Sequence, residues 1–118
     1  MEDDIRLITI NFSLSDLKEV AKEKFGDMVK AVVDVEKEIM AIGGELHADE
    51  EGFLLARGSK QEDLWGINLY VDLEYPDMVE FDSMINIRPR QNNRSQGVED
   101  ELLQKKILGI VQKLIGQL

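Results

Sequence analysis

The chain has 118 residues, with 24 acidic residues against 14 lysines and arginines and a formal net charge of -10. It has no cysteine and one histidine, which excludes disulfides, thiolate nucleophiles, cysteine zinc sites and a three-histidine metal site within one chain. A chain of this length can bury one sizeable core, so we expect a single domain over residues 1–118.

The first half of the chain predicts two helices separated by a β segment. Apolar residues recur at steps of three and four between a serine cap and Gly26, which predicts a helix over 14–25. From Val29 the apolar residues alternate and then resume after a short charged break, as either a hairpin or one long strand. An acidic first turn after His47 and a stop at Gly58 predict a short second helix.

Apolar and polar residues alternate regularly over 64–73 and 79–87, and these two segments carry the strongest strand patterns in the sequence. The proline between them, Pro76, is typical of a turn and indicates an antiparallel hairpin centred on it. In that register Asp72 lies opposite Glu80, which is unfavourable for like charges. We therefore expect either a shifted register or a nearby cation.

The last part of the chain predicts a polar loop over 91–97 and then a helix with an apolar stripe and an acidic first turn. The resulting order αββαββα predicts an α+β fold, with a mainly antiparallel sheet of about four strands and helices packed on one face as a two-layer sandwich. The stripe has heptad-like spacing and is compatible with a homodimer, although core packing is the favoured interpretation. Its members are Leu103, Ile107, Ile110 and Leu114.

One face of the predicted hairpin is polar, and no acidic residue lies between Asp82 and Glu99. Guanidinium and amide groups of this kind suit a carboxylate or a phosphate, so we predict a binding or regulatory module for a small anionic ligand or a protein partner. A solvated sheet face is the competing interpretation. The predicted ligand-binding residues are Asn68, Tyr70, Asp82, Asn86, Arg88 and Arg94.

A metal-dependent enzyme is the alternative function, because the only histidine lies among acidic residues at the start of the second helix. The candidate ligands are His47, Glu45, Asp49 and Glu50. Capping and the helix dipole explain the same acids without a metal. No serine lies in a nucleophile elbow and no phosphate-loop or dinucleotide glycine pattern is present, so catalytic residues and cofactors stay unassigned.

Composition also limits the partners of the chain. The N-terminus is acidic where a secretory signal is basic, and no window approaches the roughly 20 apolar residues that span a bilayer. We expect a cytoplasmic protein that does not associate with membranes. The negative charge and the 6% aromatic content argue against nucleic acid as a partner.

Four segments together resemble a small prokaryotic family of uncharacterised proteins that carries a domain-of-unknown-function label. They are VVDVEKEIMAIGGELHADEE, GSKQEDLWGINLY, EFDSMINIRP and NRSQGVED, and the resemblance runs from about Val29 into the final helix. It implies a cytoplasmic bacterial or archaeal protein with no known activity, and so no catalytic residues to transfer. The polar positions that it marks are Glu45, His47, Asp63, Asn68, Asp82, Asn86, Arg88 and Arg94.

Overall fold

The structure is a computed structural model that describes residues 4–116 and 118, with a Cα radius of gyration of 12.9 Å. The helices are α1 (Leu14–Lys24), α2 (His47–Leu55) and α3 (Glu101–Leu114). The strands are β1 (Arg6–Ile8), β2 (Phe12–Ser13), β3 (Met28–Asp34), β4 (Ile39–Ile42), β5 (Leu64–Tyr70), β6 (Val79–Glu80) and β7 (Ile115–Gly116). Short 3-10 turns lie at Gln61–Asp63, Met84–Asn86 and Pro89–Gln91.

Five of these strands form an antiparallel sheet in the order β1-β4-β3-β5-β6, and β2 and β7 form a separate parallel pair. The prediction of an α+β fold with a mainly antiparallel sheet is confirmed. The prediction of about four strands in the order αββαββα was wrong because it omitted β1, β2 and β7. These strands have two or three residues each, too few to show a period in the sequence.

Helix α1 forms where its capping residues and its apolar spacing predict it. The Ser13 hydroxyl accepts a hydrogen bond from the Asp16 amide at 3.0 Å, which caps the first turn. At the other end Gly26 has a φ of 90°, a conformation that glycine adopts without strain. Leu17 and Ala21 are fully buried, so the apolar residues whose spacing predicted the helix also form the face that packs into the core.

Strands β3 and β4 form a hairpin, which settles the alternative that the alternation pattern left open. Its turn is built around the fully buried Asp34, whose Oδ1 accepts hydrogen bonds from the amides of Glu36 and Lys37 at 3.0 and 2.9 Å. The other oxygen, Oδ2, accepts a hydrogen bond from the Ser59 hydroxyl at 2.7 Å. The Asp34 carboxylate thus stabilises this turn, which lacks the Asn-Gly pair that is typical of short hairpins.

Helices cover both faces of the sheet, so the predicted two-layer sandwich with helices on one face was wrong. The larger core packs α1 and α3 against Val29, Ala31 and Val33 of β3, whereas Val32 lies in a smaller core on the opposite face. That smaller core is formed with α2. Ala31, Val32 and Val33 are all fully buried, and such an uninterrupted apolar run is typical of a strand that is covered on both faces. The members of the smaller core are Ile5, Val32, Ala41, Phe53, Leu54 and Leu64.

The hairpin after β5 differs from its predicted form in length and register. β5 ends at Tyr70 rather than residue 73, and the predicted strand 79–87 is reduced to Val79–Glu80. Leu69 pairs with Val79 and Asn68 with Glu80, which places Glu80 away from Asp72. The expected shift of register is therefore confirmed. The register centred on Pro76, which set Asp72 opposite Glu80, was wrong.

Side chains take the place of the missing part of β6 along the edge of β5. Asn86 accepts a hydrogen bond from the Gly66 amide at 2.8 Å and donates one to the Gly66 carbonyl at 2.9 Å, as a neighbouring strand would. Arg88 donates to the carbonyl oxygens of Gln61 and Leu64. A Cβ on Gly66 would lie 2.6 Å from Cβ and Oγ of Ser83, so this glycine is what allows the 3-10 turn to approach the sheet.

The final helix packs into the larger core. Ile107, Ile110 and Leu114 are buried there and Leu103 is partly buried, which confirms core packing as the role of the apolar stripe. Within residues 4–116 and 118, no helix combines the length and the apolar character that a membrane span requires.

Candidate functional site

A cleft of about 290 Å³ opens where β6 ends, between the amino end of α2 and the segment 82–85. It brings together His47 of the metal prediction with Asn68 and Asp82 of the ligand-binding prediction. Two groups of residues that the sequence treated as separate candidates therefore share one site. The polar residues that line the cleft are Lys30, His47, Asn68, Asp82, Ser83 and Gln96.

The His47 ring is fixed by the sheet beneath it. It is 8% exposed, and its Nε2 lies 2.8 Å from the carbonyl oxygen of Ile67. A carbonyl oxygen only accepts, so Nε2 carries the proton and donates, which leaves Nδ1 of the neutral ring with a lone pair. Burial is the largest effect and lowers the pKa of His47. The hydrogen bond to the Ile67 carbonyl opposes it, the Lys30 charge lowers the pKa further, and Asp82 and the Asn68 side chain raise it by smaller amounts. The histidine is therefore neutral near pH 7.

Asn68 is a buried amide with half of its hydrogen-bonding capacity unused. It is 7% exposed, and its Nδ2 donates to Glu80 Oε1 at 2.8 Å and to the Asp82 carbonyl at 3.2 Å. Its Oδ1 is buried and has no hydrogen-bond partner. An unpaired buried acceptor is unfavourable by about 1–3 kcal/mol.

Two residues of opposite charge line the cleft. Lys30, half-buried on β3, and Asp82, exposed after β6, both act on the pKa of His47, in opposite directions. The amino end of α2 opens onto the same cleft, and no side chain caps it. Free amides and the positive end of the helix dipole favour an anion at this position.

The rim of the cleft is apolar. Leu46, which precedes α2, is 57% exposed, and Met84 on the opposite side is 71% exposed. Both residues lie at the surface beside the charged groups, so a ligand with an apolar part would also find contact area.

Three of the predicted ligand-binding residues have structural roles. Asn86 is fully buried in its hydrogen bonds to Gly66, and the Arg88 guanidinium stacks on Trp65 with its Cζ 3.9 Å from the ring centroid. Tyr70 lies next to the site and donates to Glu80 Oε1 at 3.2 Å. These side chains position the sheet edge on which the cleft is built, and they do not line the cleft themselves.

Arg94 lies apart from the cleft on an exposed loop. The amides of Arg94 and Ser95 donate to Oε2 of Glu99 at 2.7 and 2.8 Å. These hydrogen bonds lower the pKa of Glu99. The amides that could have held an anion in this loop are thus already bound to a carboxylate of the chain itself.

The acidic candidates for a metal site lie in different environments. Glu50 is fully buried, and its Oε2 accepts a hydrogen bond from the Gly44 amide at 2.9 Å, whereas Glu45 and Asp49 are exposed. Across residues 4–116 and 118, no group of three or more histidine, aspartate or glutamate side chains is arranged to hold a metal ion. The metal prediction therefore gains no support from the described part of the chain.

Sequence reasoning missed Lys30 as a member of the site. The available signal was its position, since it is a charged residue between the buried Val29 and Ala31 of a central strand. It also missed Asn93, a buried residue whose Nδ2 donates to the carbonyls of Asn86 and Gly97, both at 2.8 Å. Asn93 looked like one of several loop amides, and nothing in the local pattern distinguished it.

A larger depression of about 490 Å³ lies between α1 and the segment 71–75. Its described lining residues include no buried polar atom without a partner. Because the smaller cleft combines such an atom with a cation and an uncapped helix end, it is the better candidate site.

Comparison with known proteins identifies one relationship. A family model described as "Protein of unknown function (DUF5674)" matches residues 6–114. No curated protein and no solved structure matches the chain.

Proposed function

The chain belongs to the DUF5674 family of proteins of unknown function, and from the geometry of the cleft we propose that it is a binding module whose cleft holds a small anionic ligand. The observation that carries the proposal is the convergence of Lys30 with the uncapped amino end of α2 in one cleft. A helix end of this kind binds carboxylates and phosphates through its free amides, and a lysine adds a full positive charge.

The net charge of -10 does not prevent anion binding, because repulsion by distant acids is screened beyond about 8 Å at physiological salt.

The cleft also favours a small molecule over a protein partner. Its volume of about 290 Å³ lies just below the usual range for small-molecule sites, roughly 300–1,000 Å³, so the cleft suits a ligand of a few heavy atoms. The metal-dependent enzyme is not proposed, since no observation on the described residues favours it.

The test is an NMR titration of the ¹⁵N-labelled protein with acetate, succinate and inorganic phosphate. We expect at least one of these anions to shift the amide resonances of His47 and Ala48, the first two residues of α2. The Lys30→Met variant should bind that anion at least about tenfold more weakly, because a charge-assisted contact contributes about 1.5–3 kcal/mol.

The matched control is Lys22→Met, which removes a lysine of α1 whose side chain is 69% exposed. It should leave the affinity unchanged. The proposal is wrong if no anion shifts these amides, or if Lys22→Met weakens binding as much as Lys30→Met does.

A further inference from the structure

We infer that the ligand of this cleft is a monocarboxylate with a short aliphatic tail, which places its carboxylate at Lys30 and the amino end of α2 and its tail on Leu46 and Met84. This inference rests on the proposed function and adds the chemical class of the anion. It follows from the amount of positive charge that the cleft offers and from the apolar side chains that lie beside that charge.

Lys30 is a cation that the described part of the chain does not neutralise. Its Nζ lies 5.6 Å from the centroid of the Phe25 ring, and none of the salt bridges within residues 4–116 and 118 involves it, although the chain has 24 acidic residues. Lys24, in the adjoining depression, is by contrast paired with Asp4 at 2.7 Å. Lys30 is therefore the lysine of this surface that a carboxylate from a ligand can pair with.

The charges of the cleft favour a ligand with a single negative charge. Asp82 has an exposed carboxylate in the same lining, so Lys30 and Asp82 together carry no net charge. His47, the other basic side chain among the described lining residues, is neutral near pH 7 because burial lowers its pKa. The amino end of α2 adds only about half a positive charge. A carboxylate therefore meets less repulsion from Asp82 than a phosphate group, which carries about 1.5 to 2 negative charges at pH 7.

Apolar side chains adjoin this cation. Leu46 and Met84 are both more than half exposed, and the partly buried Ile85 also lines the cleft. Leu46 extends the apolar surface into the adjoining depression, where it lies with Phe25, the aromatic neighbour of Lys30. An aliphatic tail attached to a carboxylate at Lys30 therefore covers apolar surface that acetate or phosphate would leave in water.

The experiment is an NMR titration of the full chain, labelled with ¹⁵N and with ¹³C at the methionine methyl groups. The ligands are 4-methylpentanoate, acetate, inorganic phosphate and the uncharged 4-methylpentanamide. We expect 4-methylpentanoate to bind at least about tenfold more tightly than each of the others, because it alone combines one negative charge with the tail. Both carboxylates should shift the Ala48 amide, whereas the Met84 methyl group should shift with 4-methylpentanoate and not with acetate.

The double variant Leu46→Ala, Met84→Ala tests the contact with the tail. It should bind 4-methylpentanoate about as weakly as acetate and leave acetate binding unchanged, because Lys30 and the helix end are retained. Both residues are exposed, so the variant should fold, and its thermal midpoint checks this. The matched control is Leu102→Ala, which removes a leucine of α3 that is 76% exposed and should change neither affinity.

The outcomes separate the inference from the function on which it rests. If acetate or phosphate shifts the Ala48 amide and binds as tightly as 4-methylpentanoate, or if the double variant keeps its preference for 4-methylpentanoate, the inference is wrong and anion binding stands. If 4-methylpentanamide binds as tightly as 4-methylpentanoate, or if no anion shifts the Ala48 amide, both proposals are wrong.

Discussion

At the scale of single residues, Glu50 is a carboxyl group that the fold removes from water. It is fully buried, with one oxygen on the Gly44 amide at 2.9 Å and the other without a hydrogen-bond partner. Burial raises the pKa of Glu50 well above 4.5, although the Gly44 amide and Lys30 oppose the shift. The folded chain therefore holds this carboxyl group in its protonated form over a pH range where the unfolded chain releases the proton.

This shift makes the stability of the fold depend on pH. The contribution of Glu50 is fully present below the unfolded pKa of about 4.5 and is lost as the pH rises through the folded pKa. We expect Glu50→Gln, which keeps the shape and cannot ionise, to remove this loss. Relative to the variant, the native chain should lose up to about 1.4 kcal/mol per pH unit in that window.

Urea unfolding between pH 4 and pH 8 measures the difference in the free energy of unfolding. The exposed Glu101 offers the control, since Glu101→Gln should leave the pH profile parallel to that of the native chain. A Glu50→Gln profile parallel to the native one would contradict the assignment of a buried protonated carboxyl.

At the scale of elements, the edge of β5 is completed by side chains rather than by a strand. Asn86 makes three hydrogen bonds to backbone, two to Gly66 and one to the carbonyl of Gln96. Asn93 in turn holds Asn86 by donating to its carbonyl at 2.8 Å. This arrangement ends the ladder at Glu80 without leaving a free strand edge, and it leaves room for the cleft beside Asn68.

Asn86→Ala should lower the free energy of unfolding by about 3 kcal/mol, because it leaves the buried amide and carbonyl of Gly66 without partners. The Gly66 amide should also exchange its hydrogen faster in the native state. Equilibrium unfolding in urea and hydrogen exchange measure the two effects. The control is Arg90→Ala, an exposed position in the neighbouring 3-10 turn, which should change stability by less than about 0.5 kcal/mol. Equal effects of the two substitutions would show that Asn86 does not complete the sheet edge.

At the scale of the whole molecule, the excess of acidic residues causes electrostatic repulsion within a small fold. The chain has 24 acids against 14 basic residues, and its extents are 37 × 28 × 23 Å. At about 0.01 M salt the Debye length of roughly 30 Å spans the molecule, whereas at about 0.15 M it falls to roughly 8 Å. Mutual repulsion of the acids is therefore strong at low salt and mostly screened at physiological salt.

Raising the sodium chloride concentration from about 0.01 M to about 0.15 M should raise the thermal unfolding midpoint by about 4 °C, equivalent to roughly 1 kcal/mol. Differential scanning calorimetry measures the midpoint. Choline chloride at the same ionic strength should give the same rise, since the effect is screening and not binding of sodium. A midpoint that stays constant or falls would show that repulsion does not limit the stability of this fold.

Much of the fold could be predicted from the sequence, and the site only in part. The spacing of apolar residues predicted α1 with nearly correct bounds, the strand β5 with three residues too many, and the presence of α3, because each pattern reflects burial of one face. The acidic first turn and the glycine stop predicted α2. Asn68, Asp82 and His47 were identified as polar candidates, and they line one cleft. Asn86 and Arg88 were assigned to a ligand because a sequence does not show whether a polar side chain is satisfied internally.

The sequence by itself determined the class of the protein, the three helices, the core stripe and the chemistry that is excluded by the absence of cysteine. The tertiary structure decided that α2 covers the second face of the sheet, that β6 stops at Glu80, and that Lys30 joins His47 at one cleft. Periodicity and capping are set by residues within a few positions of each other, so they can be read locally. Register, sheet faces and clefts depend on contacts between residues far apart in the chain, which no local pattern specifies.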